Sequence, residues 1–417
     1  MRENATPCGR FCIDSLGIIL YYECSMDEQA QLSIVNFTKD AYITIEGVAD
    51  TNRFFIISSG RVHVSRKIKD VPEEGDKLLG PGDFFGVVSA MSSQLRMETS
   101  KALTDVTLIA VKHEQYPLLI QKNAALAIKI VMYISKMMRK FNEAYTKVST
   151  RKVPEIVNDP DQLYKIAEYY KKQGLYDHAL YAYTQYIKHC PEGSHVTQAG
   201  IHIAKIASYT RTAKHEVKLN EAKRVYPKGT LVFCESEPGK ELFIIQSGSI
   251  KITRISENKE VVLAVLTAGD IFGEMSLLES MPRAANAIAN EDCSVMVISR
   301  DNFTKMIETQ PQLITKLTIL IAERLWLSYH QIKNHKIHDP QKRIYDMLKI
   351  HLGRKHISAK ETRPFTFDFG PKELIEMIGL PGPDGQMAVK KFLESRTVKV
   401  VEGKLHILDT HEVFVKS

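Results

Sequence analysis

The sequence predicts an α+β multidomain chain: two antiparallel β-rolls of the jelly-roll type, a helical repeat-like spacer between them, and a C-terminal helix–turn–helix with a hairpin. Three observations predict it. Phe55-Ile56-Ile57-Ser58-Ser59-Gly60 returns as Phe243-Ile244-Ile245-Gln246-Ser247-Gly248, at an offset of 188. Gly82-Asp83-Phe84-Phe85-Gly86 returns as Gly269-Asp270-Ile271-Phe272-Gly273, at 187, so one roll occurs twice with a one-residue loop difference. Between and after the copies the period changes from two to about 3.6, the mark of helices.

Taken in order, residues 1–30 read as a leader with short helical pieces. Strands follow at Ala41–Ile45, Phe54–Ile57 and Val62–Val64, each closed by turn residues. Many short strands with glycine turns in about 120 residues suit a jelly roll. A helix follows each roll, from about Ala124 to Tyr145 and from about Pro311 to Asn334. In the second, Leu313, Leu317, Leu320, Arg324 and Leu327 form a mostly apolar seam.

Between the rolls, Leu163, Ala167, Tyr170, Gly174, Tyr176, Ala179, Tyr183 and Pro191 fit one tetratricopeptide repeat turning at Gly174-Leu175-Tyr176. A single repeat cannot bury its own apolar face, and the region of Ile201, Ile203, Ile206 and Ala207 can cap it. A spacer is the preferred reading over a partner-binding groove. The tail carries a helix from Pro340, strand residues Phe365–Phe369, a helix Pro371–Gly379, another through Met387 to Ser395, and a hairpin of Val398–Val400 and Leu405–Ile407. That is winged-helix order. The domains are 1–150 (first roll and its helix), 151–215 (spacer), 216–338 (second roll and its long helix) and 339–417 (winged helix-turn-helix-like).

Composition sets outer bounds. Length is 417 residues with 25% charged and 44% hydrophobic side chains, ordinary for a globular protein of two to four domains. No apolar run is long enough to span a membrane and the N-terminus lacks a secretory core, so a cytoplasmic protein without membrane contact is expected. The six cysteines (Cys8, Cys12, Cys24, Cys190, Cys234, Cys293) form no Cys-x-x-Cys pair. Reduced thiols are expected, and no metal. The net charge of +7 permits nucleic acid without deciding for it.

The chemistry gathers at Gly269-Asp270-Ile271-Phe272-Gly273-Glu274-Met275-Ser276-Leu277-Leu278 and Pro282-Arg283-Ala284-Ala285. Glycines let backbone approach a ligand, and the helix start at Gly273 to Ser276 can point N–H groups at an anion. Arg283 offers a planar fork of donors to phosphate oxygens, and Glu274 an acceptor for a sugar hydroxyl. This stretch resembles the phosphate-binding cassette of cyclic-nucleotide-binding domains, as in the regulatory subunits of cyclic-AMP-dependent kinases and the bacterial cyclic-AMP receptor proteins. The resemblance implies that Glu274 binds the ribose 2′-hydroxyl and Arg283 the cyclic phosphate, with Gly273, Met275, Ser276 and Ala284 bordering the pocket. Ala285, lacking a hydroxyl, implies adenine over guanine and hence cAMP. By a match in helical register, Ser328 is the candidate partner of the base, with Tyr329 and Arg324 nearby. The family also implies a dimer contact, here either a homodimer through the helix after the second roll or an internal pseudo-dimer of the two rolls of one chain.

The first copy departs from the cassette. Val87 stands where the second has Glu274, and Met97 and Glu98 follow Arg96 where Ala284 and Ala285 follow Arg283. It reads as a degenerate site, in which Glu98 can pair with the arginine that phosphate would otherwise neutralise. The same family places DNA-reading side chains at the start of its recognition helix. Here that start is Leu380-Pro381-Gly382-Pro383-Asp384-Gly385-Gln386, a longer turn in which Asp384 is placed to cap. Gln386 can meet adenine, and Lys390 and Lys391 can touch duplex backbone.

Two functions remain open on the sequence: a cAMP-responsive transcription regulator whose winged helix binds DNA, and a cyclic-nucleotide-gated adaptor that binds protein. No nucleophile elbow, metal motif or phosphate loop supports an enzyme.

Overall fold

The computed structural model describes residues 12–13, 19–20, 32–49, 52–68, 76–150, 161–207, 221–256, 259–355, 357–380 and 382–417. The expected leader helices, Cys8, Cys24 and Pro381 lie outside them, apart from two short paired strands at Cys12–Ile13 and Ile19–Leu20. Among the described residues the α-helices are α1 (Val87–Ser92), α2 (Tyr116–Lys122), α3 (Ala124–Thr150), α4 (Gln162–Lys172), α5 (Tyr176–His189), α6 (Val196–Ile206), α7 (Glu274–Glu279), α8 (Arg300–Thr309), α9 (Pro311–Asn334), α10 (Pro340–Arg354), α11 (Pro371–Met377), α12 (Pro383–Leu393) and α13 (Thr410–Lys416). The chain divides into two compact units. One takes the chain up to Ile134 plus Lys305–Trp326, and the other takes Ser135–Thr304 plus Leu327–Ser417.

In the first unit two four-stranded antiparallel sheets make a roll. One orders Ser33–Phe37, Val106–Lys112, Arg53–Ser59 and Phe84–Phe85; the other orders Tyr42–Thr44, Thr99–Ala102, Val62–Ser65 and Asp76–Leu79. Alternate inward side chains such as Phe55, Ile57, Val62, Val64 and Leu108 fill the space between them, as the period-two pattern requires. The first half of α9 belongs to this unit. Thr318 meets the Tyr116 hydroxyl at 3.3 Å, and Trp326 Nε1 donates to the Leu95 carbonyl at 3.3 Å.

The second unit repeats that topology. Its sheets order Lys223–Tyr226, Cys293–Ser299, Glu241–Ser247 and Ile271–Phe272, and Leu231–Phe233, Asn286–Ala289, Ser249–Ser256 and Lys259–Thr267. Helices α4 and α5 turn at Gly174, whose φ of +72° is a conformation that disfavours a side chain. The helix pair packs on α6 and on the second roll. Tyr170, Tyr183 and Ile206 share one buried cluster with Leu231, Cys234 and Ile288.

The end of α3 also lies in this unit and runs five residues past the expected stop at Tyr145. Tertiary partners carry the extra turn: Tyr145 packs edge-on to His335 with ring centroids 5.1 Å apart, and Ser149 Oγ meets His335 Nε2 at 3.3 Å. In the tail, Asp339 caps α10 by accepting from the Lys342 N–H at 2.9 Å. A three-stranded sheet orders Phe365–Thr366, Lys404–Ile407 and Val398–Val401. Its core continues into Val262 and Val265 of the second roll.

Helix α12 begins earlier than expected. Gly382 at φ +90° turns the chain, and Pro383, with its φ already fixed, opens the first turn. Asp384, expected as a cap, is the second helical residue, where negative charge still favours the helix start. Gly385 is required by space, since any Cβ there would overlap the Leu380 carbonyl.

Because the spacer and the second roll share a core, they are expected to unfold together. Leu231→Ala should cost about 2–5 kcal/mol, and urea unfolding followed by spacer tyrosine fluorescence and by far-UV circular dichroism should shift as one transition. Two separated transitions would show that the spacer folds on its own.

Candidate functional site

The site grows from one backbone feature. Gly273 adopts φ +76°, the left-handed conformation, and follows a strand just before α7, whose first N–H groups have no partner within the helix. Ser276 Oγ donates to the Gly273 carbonyl at 3.1 Å, tying that first turn. Glu274 is the first residue of α7 and is 1% exposed.

Arg283 reaches this turn from the far side. Its Nη1 donates to the Glu241 carbonyl at 2.8 Å and the Gly273 carbonyl at 2.7 Å, and lies 2.8 Å from Ser276 Oγ. The guanidinium carbon sits 4.2 Å from the Phe233 ring centroid and 5.5 Å from that of Phe243, so two aromatic faces support the cation. Its Nε is buried without a hydrogen-bond partner. Burial pulls the guanidinium below its ordinary pKa, against the raising influence of Glu237 and Glu241, yet an arginine stays charged. A cation so held, with a donor unspent, suits an anion carrying several oxygens.

A loop covers the arginine. The Ser236 N–H donates to the Arg283 carbonyl at 2.9 Å and the Arg283 N–H to the Glu237 carbonyl at 2.8 Å. Gly239 lies against the guanidinium, and a Cβ there would stand 2.5 Å from both Arg283 Cζ and Ser276 Oγ. Burial raises the Glu237 carboxyl above its usual range; it accepts from the Cys234 N–H at 3.0 Å and from the Tyr181 hydroxyl of α5 at 3.0 Å. Beside it, Arg254 and Glu235 form a buried pair at 2.5 Å.

Of the residues singled out in the sequence, Gly273, Glu274, Ser276 and Arg283 come together here. Met275 and Ala285 are buried next to them in sequence, and Ala284 is half-buried. Ser328 is held by α3 instead: its Oγ donates to Asn142 Oδ1 at 3.4 Å and lies 3.8 Å from Met138 Sδ. At the repeat offset of 187, Phe141 and Asn142 are the first-copy counterparts of Ser328 and Tyr329, so the two matching pairs of residues meet each other. Tyr329 packs on Phe141 at 6.0 Å. Arg324 belongs to the other compact unit. Gln386, Lys390 and Lys391 are exposed on α12.

Sequence reasoning missed Gly239, Glu237, Tyr181, Ser135 and Arg139. Ser135 Oγ donates to Glu279 Oε1 at 2.6 Å, and Arg139 Nε to Glu279 Oε2 at 2.8 Å. Only Pro238-Gly239, a turn signal just before a strand, was readable as local pattern.

In the first roll the corresponding turn closes differently. Gly86 again has φ +76°, and Arg96 donates to the Gly86 carbonyl at 3.3 Å and the Arg53 carbonyl at 2.8 Å. Glu98, however, accepts from the Gly86 N–H at 2.6 Å through one oxygen and from Arg66 at 2.5 Å through the other. The expected partner of Glu98 was Arg96; the ion pair formed is with Arg66, the counterpart of Arg254.

The cyclic nucleotide-binding domain family matches residues 34–123 and 223–310. The chain is 35% identical over 104 residues to the cyclic AMP receptor protein of Thermus thermophilus, a match covering 25% of this chain and 48% of that protein, about half its length. It is 30% identical over 181 residues to the cAMP-activated global transcriptional regulator CRP of Escherichia coli, covering 43% of this chain and 85% of the relative. It is 26% identical over 188 residues to a CRP-like cAMP-activated global transcriptional regulator of Mycobacterium tuberculosis, covering 45% and 84%. Among the described residues no helix is long and apolar enough to cross a membrane, and no cluster of side chains could hold a metal ion.

The buried Arg66–Glu98 pair generates a prediction. Glu98→Ala leaves Arg66 without that counter-charge and removes the acceptor from Gly86, so the first roll should lose about 3–5 kcal/mol, read as a lowered urea midpoint. An unchanged midpoint would show that the pair is not needed.

Proposed function

Because the chain belongs to the family of cyclic-AMP receptor-type transcriptional regulators, we propose that it is a cyclic-nucleotide-responsive regulator in which cAMP binds the second roll and the C-terminal winged helix meets DNA. The observation that carries this reading is the caged Arg283 bonded to the Gly273 carbonyl at the start of α7, with Glu274 in that turn and Ala285 where the first roll places the carboxylate of Glu98. In this assignment Arg283 takes the cyclic phosphate, Glu274 the ribose hydroxyl, and Gly273, Met275, Ser276, Ala284 and Ala285 border the ligand. The base end is assigned to the Ser328–Asn142 pair with Tyr329 behind it; Arg324 receives no role at this site. The first roll is assigned no nucleotide, since Glu98 already brings a carboxylate to the Gly86 N–H.

The three helices of the insert are read as a spacer fixed to the second roll, supported by their shared core. Of the α9 seam expected to meet a second copy, Leu317, Arg324 and Leu327 are buried in their own chain and Leu313 and Leu320 are half-buried. That supports pairing of α3 with α9 inside one chain over pairing of α9 between chains. For DNA, Lys390 and Lys391 are offered to phosphate and Gln386 to a base edge.

The adaptor reading has its own support. On the same tail Met387 is 68% exposed, with Val400 and Val401 at 46% and 48%, apolar surface where a DNA reader usually shows charge.

Calorimetry and fluorescence anisotropy test both. Arg283→Ala should weaken cAMP binding by at least ~30-fold, the loss of two or more charge-assisted bonds, while Arg96→Ala leaves the isotherm unchanged. Wild-type affinity in Arg283→Ala would overturn the site. With labelled duplexes, cAMP-dependent binding that weakens steeply with salt supports the regulator. Ligand-blind binding to every duplex, or none, would favour the adaptor.

A further inference from the structure

We propose that Ser135 and Arg139 of α3 are positioning residues for the cassette helix α7, and that through Tyr145 the same helix holds the helix–turn–helix, so that α3 relays the state of one to the other. The inference rests on the second-roll reading for its ligand, and on geometry alone for the relay.

Glu279 is the last residue of α7 and its side chain is 2% exposed. Both carboxylate oxygens are taken by α3, one by Ser135 Oγ at 2.6 Å and the other by Arg139 Nε at 2.8 Å. Arg139 Nη2 also donates to the Pro282 carbonyl at 3.3 Å, one residue before Arg283. Thus α3 grips the segment between Glu274 and Arg283 at two points, the end of α7 and the residue before Arg283. Charge-assisted bonds of this kind are directional, and a carboxylate bound through both oxygens cannot slide along its partner as an apolar contact can.

Six residues on, about 9 Å along a rigid helix, Tyr145 is fully buried and its hydroxyl donates to the Met377 carbonyl at 2.6 Å. Met377 ends α11, where carbonyls lack helical partners. Arg343 supplies the next bond, to the Ile378 carbonyl at 3.0 Å. Between the two grips, Asn142 meets Ser328 of α9. Displacement of α7 therefore has a continuous polar path to the end of α11, all within one compact unit.

Hydrogen–deuterium exchange on the full-length, nucleotide-free protein tests the relay directly. Arg139→Met, which keeps most of the side-chain volume, should raise exchange about tenfold or more, the equivalent of one lost charge-assisted bond, in both 274–283 and 371–380. Tyr145→Phe keeps the ring and should raise exchange only in 371–380. Arg139→Lys should restore part of the protection, which separates loss of the grip from loss of the fold. Loosening confined to 274–283 in Arg139→Met, or no change in Tyr145→Phe, overturns the relay. With cAMP added, Arg139→Met should weaken affinity about tenfold, whereas Tyr145→Phe should stay within about twofold of wild type and lose the ligand-induced change at 371–380. Absence of any cAMP binding by the wild type would remove the nucleotide reading, while the nucleotide-free exchange pattern still decides the relay.

Discussion

A buried guanidinium that keeps a donor in reserve is the constraint on which the second roll depends. Taking a charge out of water is expensive, so Arg283 needs compensation before any ligand arrives. Three oxygens around Nη1 and two aromatic faces provide it. They also fix the orientation of the fork, leaving Nε unpaired. The surrounding sequence follows from that demand. Gly273 must be left-handed to turn its carbonyl toward Nη1, and Gly239 must lack a Cβ because the guanidinium lies where one would be. The loop over the arginine is held by Glu237, and Glu237 by a tyrosine from the spacer. The insert is thus wired into the site as well as packed beside it.

The two copies show how little separates the surroundings of the two buried arginines. Both keep the turn glycine, the arginine and its bonds to two carbonyls. The difference lies two residues beyond the arginine, where Glu98 replaces the alanine of the second copy. Its carboxylate takes the Gly86 N–H, the kind of donor an incoming anion would use, and draws Arg66 onto itself. In the second copy Ala285 leaves that space, and Arg254 turns to Glu235 instead. In the first roll an internal carboxylate meets the Gly86 N–H, and in the second an alanine stands at the position of that carboxylate.

Much of this was legible in the sequence because the signals were local or repeated. The offset of 187 to 188 residues disclosed two rolls of one topology, and the spacing of Glu274 and Arg283 between small residues disclosed their convergence. What escaped notice depends on long-range packing. Ser135 and Arg139 sit in an amphipathic helix where a serine and an arginine look like ordinary surface residues, and their partner Glu279 is 140 or more positions away. The Ser328–Asn142 contact was hidden for the same reason; register named Ser328 without showing which residue faces it. The early start of α12 was a local error, in which Pro381-Gly382-Pro383 looked like a long turn although Pro383 suits the first turn of a helix.

A preformed cage has a consequence for switching. A ligand shifts a conformational equilibrium only through contacts that differ between the two states, and moving a population from mostly off to mostly on needs about 5.5 kcal/mol of such difference. On the proposed reading, the protein's own oxygens and aromatic faces already hold Arg283, so bonds to a phosphate would supply affinity more than response. The response must come from parts whose surroundings can change. Those parts are the short helix α7, the loop over the arginine and the α3 face that grips Glu279. Each charge-assisted bond there is worth roughly 1.5–3 kcal/mol, so two or three rearranging together reach the required size, and one alone does not. An all-or-none change across α7 and α3 is therefore favoured over a graded adjustment at the arginine.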